Sequence, residues 1–256
     1  MTNAELITYG VIHKQIPKYL FKYRYIDAHL DDIILKSELW FSSAEKFNDP
    51  FDCQIKVNTV NTHREIKDYL AKFAQTLSRK QIRELASKLY ENNEDRHNLF
   101  NSVFSNDLNK RGLCCFCENE TNILLWSHYT KSHKGVCLKF DVLEDPELFV
   151  FPIKIKYEEK YPVYNHLRDS EKIIESLIGT KAKCWEYEKE MRIMKPSTGA
   201  FKFNKSALVE IIFGCNCEEK EIKRIKKLAL DSGYINTIFK KAIKKENEFG
   251  LDFING

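Results

Sequence analysis

The sequence predicts an α+β fold built on a mixed, mainly antiparallel sheet, and three observations carry that prediction. Short apolar runs of strand character recur from Tyr19 to Ala242 and alternate irregularly with helical patterns, without βαβ repetition. Between about residues 62 and 110 the period becomes helical, charged and glycine-free, which marks a helical insertion. The composition is globular: 43% hydrophobic, with 17 Phe and 12 Tyr but only 9 Gly and 6 Pro. Few linker-forming residues in 256 positions imply a single domain over 1–256 that carries the insertion.

Tyr19–Arg24 reads as the first strand. Asp27 is placed to cap a helix whose apolar positions are Leu30, Ile33 and Ile34. Leu39–Ser43 forms a second strand and runs into Asn48-Asp49-Pro50, a strong turn signal. In the insertion, Ile66, Tyr69, Leu70, Phe73 and Leu77, then Ile82, Leu85 and Leu89, predict two or three helices. After Gly112 the pattern gives a strand over LCCFCE, a short helix around ILLWSHYT and a strand from Gly135 to Phe140. Phe149–Tyr157 alternates as another strand, and Glu171–Ile178 as a helix. Strands at Glu190–Met194 and Leu208–Phe213, a helix at Glu218–Asp231 and a strand at Ile235–Ala242 complete the chain.

No apolar run approaches the length that crosses a bilayer, and MTNAELITYG lacks a basic region followed by an apolar one. The expectation is a cytoplasmic protein away from membranes, whose eight cysteines are reduced thiols. The net charge of +4 conceals a Lys-rich stretch from Lys220 to Lys245. Such a stretch offers a surface to nucleic acid, although the plainer account is the solvated face of a helix and an edge strand.

Four places concentrate chemistry. Cys114-x2-Cys117 followed by His128-x4-His133 imitates zinc-ligand spacing, and Cys215 and Cys217 could complete a thiolate set. The gap between the pairs is wrong for a finger, and buried strand cysteines behave simply as small apolar residues. In FNDPFD, Asn48, Asp49 and Asp52 sit on a turn stiffened by Pro50, with Phe47 and Phe51 expected to bury it. WSHYTKSHKG packs Ser127, His128, Tyr129, His133 and Lys134 into eight positions ahead of Gly135, a density of titratable and hydrogen-bonding groups that favours a site beside Trp126. Read as a strand, Trp185–Ile193 puts Glu186, Glu188, Glu190 and Arg192 on one face, where neighbouring carboxylates repel unless a cation compensates.

At these places the sequence resembles a large bacterial family of uncharacterised domains. The matching marks are Lys22–Arg24, LWFSS through FNDPFD at Leu39–Asp52, LLWSHY through GVCLKFD at Leu124–Asp141, and WEYEKEMR at Trp185–Arg192. The family usually has a serine where Cys117 stands, so no role of that serine carries over. More distantly, the order of elements resembles the ADP-ribosyltransferase fold. That resemblance implies Glu190 as the residue stabilising a ribosyl cation, with Glu188 aiding the acceptor. It further implies NAD bound by Tyr23 or Arg24, with Tyr129 stacking on nicotinamide. Taken with the four places above, the expected site has His128 and Tyr129 beside Glu188 and Glu190 as catalytic residues, and Ser43, Asn48, Asp49, Asp52, Trp126, His133 and Arg192 as cofactor-binding ones. The acceptor would be water or an undefined macromolecule, in bacterial stress or phage defence. Two other functions compete: a metal-dependent nuclease or hydrolase with Asp49, Asp52, Glu188 and Glu190 around Mg²⁺, and a non-enzymatic ligand- or partner-binding module.

Overall fold

Eight strands hydrogen-bond into one sheet in a computed structural model that describes residues 1–165, 167–168 and 173–256. In chain order the sheet strands are β1 (Tyr19–Arg24), β4 (Gly112–Cys117), β5 (Val136–Asp141), β6 (Ile153–Lys154), β10 (Glu190–Lys195), β12 (Leu208–Phe213), β13 (Ile238–Lys244) and β14 (Leu251–Asn255). Their order across the sheet is β14-β13-β12-β5-β1-β4-β10-β6. Every pairing is antiparallel except β12 with β13. The fold class is therefore α+β, as the irregular alternation of elements predicts.

The chain divides into two compact units. The first comprises 1–42, 112–155 and 184–256 and holds the sheet. On one of its faces Leu20, Val136, Leu138, Ile193 and Ile211 pack with Ile7 of α1 (Asn3–Ile12), Leu30, Ile33 and Ile34 of α2 (Ala28–Lys36), and Ile222 and Ile225 of α8 (Glu219–Asp231). On the other, Phe21, Tyr23, Cys117, Cys137 and Ile212 pack with Leu125 and Trp126 of α6 (Ile123–Tyr129). A small ribbon of β2 (Glu38–Phe41) and β11 (Gly199–Lys202) joins the first core through Leu39 and Phe41.

The second unit comprises 43–111 and 156–183. The insertion resolves into α3 (His63–Phe73), α4 (Arg79–Glu91) and α5 (Asn93–Lys110). Capping boxes start α3 at Thr62–Glu65 and α4 at Ser78–Gln81, and Asn92 caps α5, so polar side chains satisfy the first free amides. Ile66, Leu70, Ile82, Ala86 and Leu89 form their buried seam. Two short parallel pairs accompany them: β3 (Lys56–Val57) with β8 (Val163–Tyr164), and β7 (Lys156–Glu158) with β9 (Thr180–Ala182).

Several expectations need correction. The strand read over Phe149–Tyr157 is broken, because Phe151 takes a left-handed φ of 51° ahead of Pro152, and only β6 and β7 remain of it. The helix expected from Glu171 appears as α7 (Ile173–Ile178), with Glu171 and Lys172 outside the described residues. Helix α1 and strands β11 and β14 were not anticipated, although the Thr2–Glu5 capping box that starts α1 is plain in the sequence.

Candidate functional site

The register across β1, β4 and β10 assembles the central cluster. Phe21 lies opposite Cys117, and Cys117 opposite Glu190. Alternation then puts Tyr23, Cys115, Cys117, Glu190 and Arg192 on the face covered by α6. Arg192 is fully buried and donates from Nε to Glu190 Oε1 at 2.6 Å and from a terminal nitrogen to Oε2 at 3.2 Å. This is a bidentate, charge-assisted pair between residues two apart on one strand.

Upstream, the acidic segment departs from the strand that periodicity predicts. Lys183–Glu188 winds into a 3₁₀ turn, and Lys189 takes a left-handed φ of 45° before β10 begins. Glu186 is consequently exposed, and only Glu190 and Arg192 share the strand face. Glu188 reaches the interior by a different route. It is 5% exposed, and its Oε1 accepts the Tyr129 hydroxyl at 2.8 Å. Two buried carboxylates on either side of Lys189 are thus oriented by different donors.

Helix α6 is fixed to this turn at its first residue. Asn122 caps the helix, accepting from the amides of Leu124 and Leu125 at 3.0 and 3.3 Å, while its own amide nitrogen donates to the Tyr187 carbonyl. Trp126, wholly buried, meets Tyr23 edge-on at 5.1 Å and donates Nε1 to the Glu120 carbonyl at 2.7 Å. The Tyr23 hydroxyl donates to the Asn119 carbonyl at 3.1 Å, and burial pushes its pKa upward. Packing and one hydrogen bond each therefore fix both rings in place. Asn122 was legible as an Asn ahead of an apolar run; Cys115 enters only through strand register.

The remaining residues fall as follows. His128 is exposed, with its ring 6.3 Å from that of Tyr187. His133 stacks on Trp126 at 6.3 Å and 10°. Arg24 pairs with Val136 on the face opposite Glu190, and its buried Nε has no hydrogen-bond partner. Strand alternation thus separates Arg24 from Glu190 across the sheet. Ser43, Asn48, Asp49 and Asp52 belong to the second unit. There Asp49 accepts from the Phe51 amide at 2.9 Å and Asp52 from the Cys53 amide at 2.7 Å, with Asp52 also 3.7 Å from Lys181. Phe51 does not bury the turn, being 64% exposed.

Cys115 and Cys117 are held as neutral thiols. Burial, then the Glu190 charge, raises Cys115 well above its ordinary pKa, and burial pushes Cys117 up to about 12. Cys114 and Cys117 face opposite sides of β4, and Cys217 and Cys215 pack into different cores, so the four thiols do not form one metal-binding set. Among the described residues, no three His, Cys, Asp or Glu side chains converge as metal ligands, and no helix is long and apolar enough to cross a membrane.

The sequence profile of a family described as "Protein of unknown function (DUF2971)" matches residues 125–193, the stretch that contains Trp126, Tyr129, His133, Glu188, Glu190 and Arg192. No curated protein and no solved structure matches the chain.

Proposed function

We propose that the Tyr129–Glu188 and Arg192–Glu190 pairs are the reacting groups of an NAD-consuming enzyme, an ADP-ribosyltransferase or NAD glycohydrolase. The observation that carries this reading is the pair of buried carboxylates, Glu188 and Glu190, each aimed by its own donor. Cleavage of a ribosyl bond asks for a fixed negative charge beside C1′ as positive charge develops there. Glu190, locked by Arg192, fits that task. Glu188, held by Tyr129, fits the removal of a proton from the incoming hydroxyl or water. The C1′–N bond breaks with its electron pair leaving on neutral nicotinamide. A C1′–O bond forms, and the acceptor's proton passes to Glu188. The distant resemblance to the ADP-ribosyltransferase fold supports the same assignment by analogy.

Nicotinamide release from NAD by the purified full chain tests the proposal. Glu190→Gln is expected to lower turnover by about 10²-fold or more, the scale seen when one preorganised charge-stabilising group is removed. Unchanged turnover in a folded Glu190→Gln protein refutes it. EDTA should have no effect on this turnover; loss of activity restored by Mg²⁺ would refute the proposal in favour of a metal-dependent hydrolase.

A further inference from the structure

The turn after α6 builds a second feature that the carboxylate chemistry leaves unused. Lys131, Ser132 and His133 take consecutive left-handed φ values of 51, 58 and 66°. Side chains disfavour that region, so a run of three persists only where its surroundings hold it. Here Ser132 N donates to the Ser127 carbonyl at 3.1 Å and His133 N to the Trp126 carbonyl at 3.1 Å. From the neighbouring loop, Asn216 donates its main-chain N to the His133 carbonyl at 3.0 Å and its side-chain amide to the Ser132 carbonyl at 3.1 Å. A Cβ at Gly214 would collide with the His133 carbonyl, so that close approach requires glycine.

The turn presents the His133 imidazole to a cleft of about 600 Å³. That volume lies within the roughly 300–1,000 Å³ typical of small-molecule sites. Nδ1 is shielded from solvent and has no hydrogen-bond partner. A buried N–H without an acceptor is costly, so the neutral ring carries its proton on Nε2, which becomes a donor available to a ligand. Burial, then the Lys244 ammonium, holds the His133 pKa below its ordinary value, so the ring stays neutral at pH 7. Ile123 and Leu251 give the cleft an apolar wall, and Asn216 and Lys244 give it polar groups. On its rim Phe249 leaves its whole ring in water. The turn bearing Phe249 is closed by Lys245, through its amide to the Gly250 carbonyl at 3.1 Å and its ammonium to Glu248 at 3.0 Å.

We propose that this cleft binds a small molecule joining a planar ring to an anionic group, in the class of nucleoside monophosphates. Phe249 supplies a stacking face, Asn216 a donor and an acceptor for a ring edge, and Lys244 with His133 Nε2–H the contacts to the anion. The site shares no side chain with the Glu188–Glu190 cluster and stands whether or not that cluster cleaves NAD.

Calorimetric titration of the full chain with AMP tests it, with adenosine and inorganic phosphate as partial probes. Saturable AMP binding is expected, tighter than either partial probe. It should weaken by about fivefold or more in Phe249→Ala, the low end of what one stacked base contributes, and also weaken in Lys244→Gln. Both side chains are exposed, so circular dichroism should show intact folds. AMP should bind Glu190→Gln as it binds the unaltered protein. No saturable AMP binding, AMP binding indifferent to both cleft substitutions, phosphate binding as tightly as AMP, or loss of AMP binding in Glu190→Gln would each overturn the proposal.

Discussion

Removing Arg192 should expose how much of the first unit depends on one buried ion pair. Its side chain is fully buried and Glu190 is 4% exposed, so solvent does little to screen their interaction. Arg192→Met keeps most of the side-chain volume but takes from Glu190 the partner of both its oxygens, bonded at 2.6 and 3.2 Å. Breaking a buried pair from one side costs about 3–5 kcal/mol, whereas replacing both members by apolar side chains is often close to neutral. Glu190→Met should therefore be comparably damaging, and the double variant should be less destabilised than the sum by about 2 kcal/mol or more. Urea unfolding followed by tryptophan fluorescence measures this, because Trp40, Trp126 and Trp185 all lie in the first unit. Additive single-variant effects would refute the argument that the two charges stabilise each other.

Burial alone pushes the Glu210 carboxyl up, but the hydrogen bond from Lys139 at 2.9 Å and the Lys240 ammonium 3.0 Å away outweigh it and hold the pKa below the ordinary 4.5. A carboxyl depressed in the fold adds stability above its unfolded pKa and loses it as pH falls through the folded one. Stability should accordingly decline below about pH 4.5, with a shallower decline in Glu210→Gln; identical acid profiles would contradict this. Gly214→Ala should destabilise the protein by about 1–3 kcal/mol or more, because its Cβ meets backbone and not a movable side chain; a lossless substitution, read by the same urea assay, would show that the close approach is dispensable. In timed alkylation near neutral pH, peptide mapping should find exposed Cys184 modified well before Cys117 and Cys137, whose burial keeps them as thiols. Equal rates would refute that shielding.

Local signals made most of the fold legible. The Asp27 cap, the Tyr19–Arg24 and Leu208–Phe213 strands and the helical insertion follow from patterns that act within a few residues, and the structure keeps them. The failures lie where backbone conformation overrides side-chain alternation. Phe151 and Lys189 both adopt φ values that a period-two pattern does not foresee, and each ends a strand that the pattern extends. The Lys189 case altered the site itself, separating Glu186 from Glu190 and giving Glu188 to Tyr129. Long-range register decided the rest. Nothing local says that Tyr23 faces Glu190's side of the sheet while Arg24 faces away, because that depends on Phe21, Cys117 and Glu190 lying in line across three strands.

The proposed action of Glu188 and Glu190 on a ribosyl bond is tested most directly by a crystal structure of the Glu190→Gln protein soaked in NAD. The nicotinamide-bearing ribose is expected on the face shared by Tyr23, Cys115 and Arg192, with C1′ beside residue 190 and a hydroxyl or water within hydrogen-bond distance of Glu188. NAD bound on the Arg24 face, or with its nicotinamide ribose away from both positions, would contradict it.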